Sequence, residues 1–596
     1  MAKSPANRTL LEDVLSRAMV RELWTANYDP VFPMQPGNFS IGTLLPALLF
    51  LMRRGAARGR GRFVEVYGQG ERKATTDGVA DRLSRRSDVM VRGEAGQAIL
   101  GDIILAHCLE AVNHSASRQS PIDRAYPSHY FASWLDLPQS YAHMRYVPDA
   151  LAATLVEPGP IARGERVPSH FPVGSVRENL LLKTFAAAVE VGDRSYALTA
   201  DRFVEGEADA LSAEQLAMVR IAQGLEMAPR PLQGDDTALS NQLPLDGAAA
   251  EAFCEDFRVF LTAYGEEIPL PTLVPMLECA LAIGLTSMVL GSAGQLRRLF
   301  DERVTSSSRE PWPLFVDAGE GGQPHLRQLA EESMDQAERL MRGLPVSLMA
   351  LRLLESLAQD DEGLAAELSP PSPDGNARVR FLLDVLRGRH HRASAIQGRA
   401  GVYCRQLARA CGDDEAFSDV LAVLDERSVH PVLRLADVVV RLMGADSQEL
   451  PFAKLLGSSL VADDMSPYRL AAQRRVSKVR DGVARRGVAR SLTLNNTALD
   501  YLVHRHLWEE DTGHHLQRRP VTYRHFLALL RERYGFYVDA APPGLPISVE
   551  NLRQNRHRLE HRLRDLGLLA GVNDAETMKF LRPRFQGSVA AAKNAP

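Results

Sequence analysis

Apolar residues recur at helical spacing through most of the chain, and strand-like alternation is rare. Near the start, Leu10, Leu11, Val14, Leu15 and Met19 share one helical face. Ile41 to Met52 (IGTLLPALLFLM) is the most hydrophobic run, but twelve residues broken by Pro46 fall short of the roughly 20 that a bilayer span requires. It reads as a buried helix. Gly96 to Val112, Val176 to Val191 and Ser212 to Leu225 continue the helical pattern. From residue 247 to 460 amphipathic helices follow one another at Ala248–Ala263, Leu273–Leu290, Gln323–Arg342, Val346–Gln359, Val379–Arg387 and Ala416–Leu424. Leu270 to Leu290 is apolar as well, yet Glu278, Pro271 and Pro275 suit a core helix, and no membrane association is expected.

The pattern predicts a mainly α, multi-domain protein. Single hydrophobic cores stop growing at roughly 250–300 residues, and this chain has 596. A Pro/Gly-rich passage at 158–172, a polar stretch at 229–246 and a change of pattern near 465 mark the breaks. The expected organisation is an N-terminal helical domain (1–160), a connecting helical segment and linker (161–246), a central helical domain (247–464) and a basic C-terminal domain (465–596). Five scattered cysteines without a CxxC pair argue against a disulfide framework and a zinc ribbon. The opening MAKSPANRTL lacks the apolar core of a secretory signal. A reducing, cytoplasmic location is the expectation.

Charge changes the picture once it is divided. From Arg469 onward there are 23 Lys and Arg against 12 Asp and Glu, a local +11, which leaves −15 on residues 1–468 of a chain whose total is −4. A basic end on an acidic body points to a polyanionic partner for one part of the chain. Within that end, Asn495 or Asn496 can cap a helix carrying Leu499, Leu502, Val503 and Leu507. Thr522 precedes a second helix closed by Gly535, and Ser548 begins a third from Val549 to Leu566, stopped by Gly567. A short hairpin turning at Asn573 and Asp574 follows. Three short helices and a hairpin is the element order of winged-helix domains.

On a wheel of 100° per residue from Leu552, Leu559, Leu563 and Leu566 lie within about 40° of it. Arg553, His557, His561 and Arg564 fall at about 100°, 140°, 180° and 120°, with Gln554 and Arg558 beside them. An apolar stripe packed inward would leave a cationic row open to phosphates or base edges of duplex DNA. Lys579, Arg582 and Arg584 would add charge on the wing. A solvated surface and a protein-docking face are the competing readings.

Other signals are weaker. Arg53 to Arg62 (RRGAARGRGR) reads as a solvated connector rather than a phosphate loop, and the aromatics Tyr126, Tyr130, Phe131, Trp134, Tyr141 and Tyr146 as core rather than base-stacking platforms. Arg556 to His561 matches the R-x-x-x-x-H spacing of HEPN-type ribonucleases, but on one helix the two residues stand about 140° apart. His504 and His506, and His514 with His515, read as surface-polar rather than as a metal site, since residues two apart diverge on a helix. His390 and His391 read as an exposed basic turn. P-loop, dinucleotide-binding, zincin and nucleophile-elbow motifs are missing. No cofactor and no metal is expected.

Two passages, TLLPALLFLMRRG (Thr43 to Gly55) and RYGFYVDAAPPG with NLRQNRHRLEHRLRDLGLL (within Arg533 to Leu569), resemble large helical components of bacterial multigene anti-phage defence systems, especially the methylation-associated kind. The resemblance implies protein partners in a complex containing a DNA methyltransferase or effector subunits. The function expected is a non-enzymatic nucleic-acid-binding and scaffold subunit. The alternatives are a HEPN-like ribonuclease and a scaffold that docks protein alone.

Overall fold

The computed structural model describes residues 4–25, 27–54, 144–156, 170–175, 178–186, 243–301, 310–359, 362–368, 375–412, 414–461, 469–480, 483–510, 515–571 and 579–587, with short pieces between 74 and 133. The architecture is mainly α, as the periodicity predicts. The opening helix is split: α1 (Ser4–Leu15) ends at Ser16, whose φ of 74° breaks the helix, and the Ser16 hydroxyl then caps α2 (Arg17–Leu23) by accepting from the Met19 N–H. The apolar run becomes α3 (Leu44–Arg54), buried from Leu44 to Arg53, with Gly42 and Thr43 just before it half-buried. Arg53 is therefore not the start of a solvated connector; it is 1 % exposed at the end of that helix, and residues 55–62 lie outside the described set.

The helix expected at 96–112 is shorter, α4 (Gly93–Ile103), and residues 110–111 instead form a strand, β2, paired with β4 (Ala125–Tyr126); β1 (Ala74–Thr75) pairs with β3 (Pro121–Ile122). Helices α5 (Val147–Val156) and α6 (Leu180–Ala186) follow. The helix expected at Ser212–Leu225, and Tyr130, Phe131, Trp134 and Tyr141 of the aromatic stretch, lie outside the described residues.

The centre is built on α7 (Gly247–Tyr264) and α8 (Leu270–Phe300). Their close approach depends on Gly284, where a Cβ would stand 2.1 Å from the Phe253 ring. Among the described residues α8 is the one helix long and apolar enough to cross a bilayer, and 83 % of its most apolar window is buried inside the protein. Pro271 sits in its first turn, where no N–H is needed, and Pro275 is accommodated inside it. Next come α9 (Pro324–Arg342), α10 (Leu344–Gln359), α11 (Glu362–Leu368) and α12 (Gly375–Leu386). The series closes with α13 (Ala393–Cys411), α14 (Ser418–Asp425), α15 (Pro431–Met443), α16 (Ala445–Gln448) and α17 (Leu450–Ser459).

The C-terminal section opens with an element the periodicity did not suggest. Strands β6 (Ala471–Arg480) and β7 (Val483–Leu492) form an antiparallel ribbon in register from Ala471↔Leu492 to Arg480↔Val483. In sequence Asp481-Gly482 between them is a dipeptide that favours tight hairpin turns, and these two residues lie outside the described set. After the ribbon come α18 (Asn496–His506), the pair β8 (Trp508–Glu510) and β9 (Leu516–Arg518), α19 (Tyr523–Tyr534), β10 (Phe536–Tyr537) and α20 (Val549–Asp565). The last pair, β11 (Leu569–Ala570) with β12 (Phe580–Leu581), is antiparallel, and the expected turn at Asn573 and Asp574 lies outside the described residues.

This section is stitched to the centre by backbone. Strand β5 (Leu314–Phe315) pairs in parallel with β10, the Leu314 N–H donating to Gly535 O at 2.8 Å and Val316 N–H to Tyr537 O at 2.9 Å. Gly535 has φ 72°, and a Cβ there would meet Trp312 O at 2.2 Å, so this junction requires glycine twice over. One hydrophobic cluster runs from Leu11 to Leu581.

Candidate nucleic-acid interface

Three side-chain caps set the helices as read from sequence: Asn495 accepts from Ala498 N–H, Thr522 from His525 N–H and Ser548 from Asn551 N–H. Gly535 and Gly567, both at φ 72°, end α19 and α20. Helix α20 is continuous. Leu559 and Leu563 are buried, and Leu552 and Leu566 half-buried.

A residue the wheel passed over anchors that inner face. Asn555, fully buried, donates from Nδ2 to Val316 O at 2.8 Å and Val538 O at 3.0 Å, and its Oδ1 accepts from Ala318 N–H at 3.0 Å. One amide thus satisfies three backbone groups around the β5–β10 junction. Arg562 works beside it, donating to the carbonyls of Ala318, Thr493 and Leu494 and pairing with Glu320 at 2.5 Å. Burial lowers the Arg562 guanidinium from its ordinary value, against the pull of Glu320 and Asp317.

The outer face carries Arg553, His557, Arg558, His561 and Arg564, all exposed. They are not equally available. Arg553 lies 3.8 Å from Glu550, an exposed pair of little energetic weight. Arg564 bonds Glu560 at 2.6 Å. His557 and His561 are hydrogen-bonded to each other through Nε2 at 2.9 Å. With the Gln323 amide turned to suit its neighbours, Arg558 donates to its oxygen at 2.8 Å.

The charges placed on the wing divide. Arg582 is exposed. Arg584 is half-exposed and reaches Asp500 at 2.8 Å. Lys579 does not extend a basic wing: it is 7 % exposed, with Nζ 2.8 Å from Glu560. Burial would raise the Glu560 carboxyl, but Lys579, Arg564 and His557 outweigh it and hold the group below its ordinary value. Nineteen positions separate the pair along the chain, and only the antiparallel fold-back of β12 brings them together.

Arg556 and His561 have different neighbours. The Arg556 guanidinium lies over the Tyr523 ring, 5.8 Å from its centroid, while His561 faces His557. The surface reading of His504 and His506 is corrected. Both are buried, because α18 is enclosed along its whole length from Ala498 to His506. His504 Nε2 accepts the N–H of Arg584 at 3.0 Å, which leaves the proton on Nδ1 to donate to Asp500 O at 2.7 Å. His506 lies 3.0 Å from the Tyr534 hydroxyl, which donates to Asp256 at 2.7 Å. Burial, with Arg505, Arg533 and Arg519 nearby, pushes His506 well below the ordinary histidine range. His514 lies outside the described residues, and His515 is exposed. His391 is exposed as expected, while His390 is half-buried against Phe381. Among the described residues no three His, Cys, Asp or Glu side chains converge as a metal site would require.

No curated protein and no solved structure matches the chain. Residues 181–585, about two thirds of its length, match the family model described as Methylation-associated defense system protein MAD7. The matched span takes in the central helices, the basic ribbon and α20 together, and the chain belongs to this family of methylation-associated defence system proteins.

Proposed function

We propose that this protein is a non-enzymatic subunit of its defence system that binds duplex DNA through the C-terminal section and meets protein partners through its acidic helical body. The observation that carries the reading is the division of α20. Its inner face is tied down by Leu559, Leu563, Asn555 and Arg562, and its outer face leaves Arg553, Arg558 and Arg564 in solvent with two histidines between them. A rigid helix with its stem fixed and its guanidinium groups outward is what phosphate and base-edge contacts require. The order of three helices and a closing strand pair supports a winged-helix-like use of that helix. The defence-system family supports association with other subunits.

The test is duplex affinity of the whole chain at two salt concentrations. Three to five phosphate contacts give a log–log slope of about −3 to −4.5. Changing Arg553, Arg558 and Arg564 together to Glu is expected to abolish binding while the protein still melts as the parent does. Binding that is unchanged in that variant overturns the reading. Cleavage of nucleic acid, abolished by His561→Ala, would favour a ribonuclease instead.

A further inference from the structure

A cavity of about 440 Å³ lies between residues 38–41, the C-terminal end of α9, helix α17 and the root of the β6–β7 ribbon. Its polar lining includes Arg342, Lys454, Arg490, Gln473, Asn38 and Ser458, and no Asp or Glu among the described residues. The walls are fixed. Ser458 Oγ accepts from the Phe39 N–H at 3.1 Å, holding the loop over α17. Gln473 and Arg490 are Cα partners in the ribbon. Arg490 is anchored by Glu338 at 2.5 Å, and its Nε–H is buried without an acceptor among the described residues. Arg342 and Lys454 are exposed and enter no ion pair among the described residues.

Three cations around one concavity, only one of them compensated by a carboxylate, attract an anion. A guanidinium fork with an adjacent ammonium suits phosphate, which one carboxylate-sized charge would leave under-used. The volume falls in the range of small-ligand sites, enough for a nucleotide unit. The cavity also stands at the foot of a ribbon whose sequence, residues 471–492, holds seven Lys and Arg (Arg474, Arg475, Lys478, Arg480, Arg485, Arg486, Arg490) and a single acid, Asp481. Ten residues of strand extend about 33 Å, and a two-stranded ribbon is one of the elements that a DNA major groove admits.

We infer that this cavity is a phosphate-binding site that seats a nucleic-acid backbone where the β6–β7 ribbon leaves the body of the protein. The inference rests on the proposed DNA binding for its source of phosphate; a free nucleotide offers the same chemistry, and the test separates the two. Arg342→Gln with Lys454→Gln is the variant of choice, since both side chains are exposed and unpaired among the described residues; its thermal melt checks folding. In the whole chain, labelled duplex DNA is expected to bind this variant about tenfold more weakly than the parent, with the log–log salt slope reduced by about two. ATP and inorganic phosphate are titrated in parallel. ATP bound by the parent and lost in the variant, with no DNA bound by either, assigns the cavity to a free nucleotide and overturns both its nucleic-acid role and the α20 reading. Unchanged DNA affinity and slope, with no ATP binding lost, overturns the cavity inference, while the α20 variant decides the DNA reading independently.

Discussion

Single residues carry more of this structure than their types announce. Glu278 lies inside α8, 8 % exposed, and burial pushes its carboxyl up to about 8. A carboxyl whose folded value is raised favours the protonated native state, so its contribution is fully present below the unfolded value and is lost as pH climbs toward 8. Between about pH 5 and 8 the parent should therefore lose stability on this account, on the order of a few kcal/mol. Glu278→Gln removes the titration. Melting temperatures followed across that window should converge at the acid end and separate in favour of the variant at pH 8; parallel curves would show that the group ionises freely. The polar character of Asn555 was visible in the sequence, but its role was not, because Val316, Ala318 and Val538 converge on it from distant points of the chain. The same holds for Lys579, whose partner Glu560 is reached only through the fold-back of β12.

At the scale of elements, the junction of α7 with α18 and α19 is ionic and buried. Asp256, 4 % exposed, accepts from Arg505 Nε at 2.6 Å, Arg533 Nε at 3.1 Å and the Tyr534 hydroxyl at 2.7 Å, and Glu255 supplies further acceptors. Burial opposes both guanidinium charges and is the largest single influence on each, but Asp256, Tyr534 and Glu255 together outweigh it and hold Arg505 and Arg533 above their ordinary values. Removing one partner of such a network strands the others, typically at a cost of about 3–5 kcal/mol. Asp256→Ala is thus expected to speed amide exchange through α18 and α19 while α13 to α15 keep their protection; uniform exchange across the chain would contradict it. Helices were legible where an apolar stripe and a cap coincide, as at Asn495, Thr522 and Ser548. The β6–β7 ribbon was obscured because its apolar positions are few, and the readable signal was the Asp481-Gly482 dipeptide between two basic runs. The burial of His504 and His506 had no local signal, since it follows from neighbours enclosing α18 on every side.

For the whole molecule, the acidic body and basic end are distinct in charge but continuous in packing. Among the described residues one core cluster has members from Leu11 to Leu581, and β5 of the centre is completed by β10 of the end. A fragment of residues 465–596 would expose the apolar sides of α18 and α19, lose the Asp256 acceptor and leave β10 unpaired. Such a fragment is expected to aggregate or to elute as an expanded species in gel filtration, where the whole chain elutes compactly. A monodisperse fragment with the helical circular dichroism of its folded helices would refute this. For that reason the DNA measurements belong to the full chain. Charge asymmetry was readable by counting, whereas this interlocking depends on pairings across more than two hundred residues.

The pairing of β5 with β10 also has a consequence in time. About 220 residues separate Leu314 from Phe536, which at about 5–20 residues per second is roughly 11–44 s of synthesis. Throughout that interval the nascent central helices present an open strand edge and an apolar seam awaiting the final quarter of the polypeptide, a period in which holdase chaperones have a ready substrate and a truncated message would yield a sticky product.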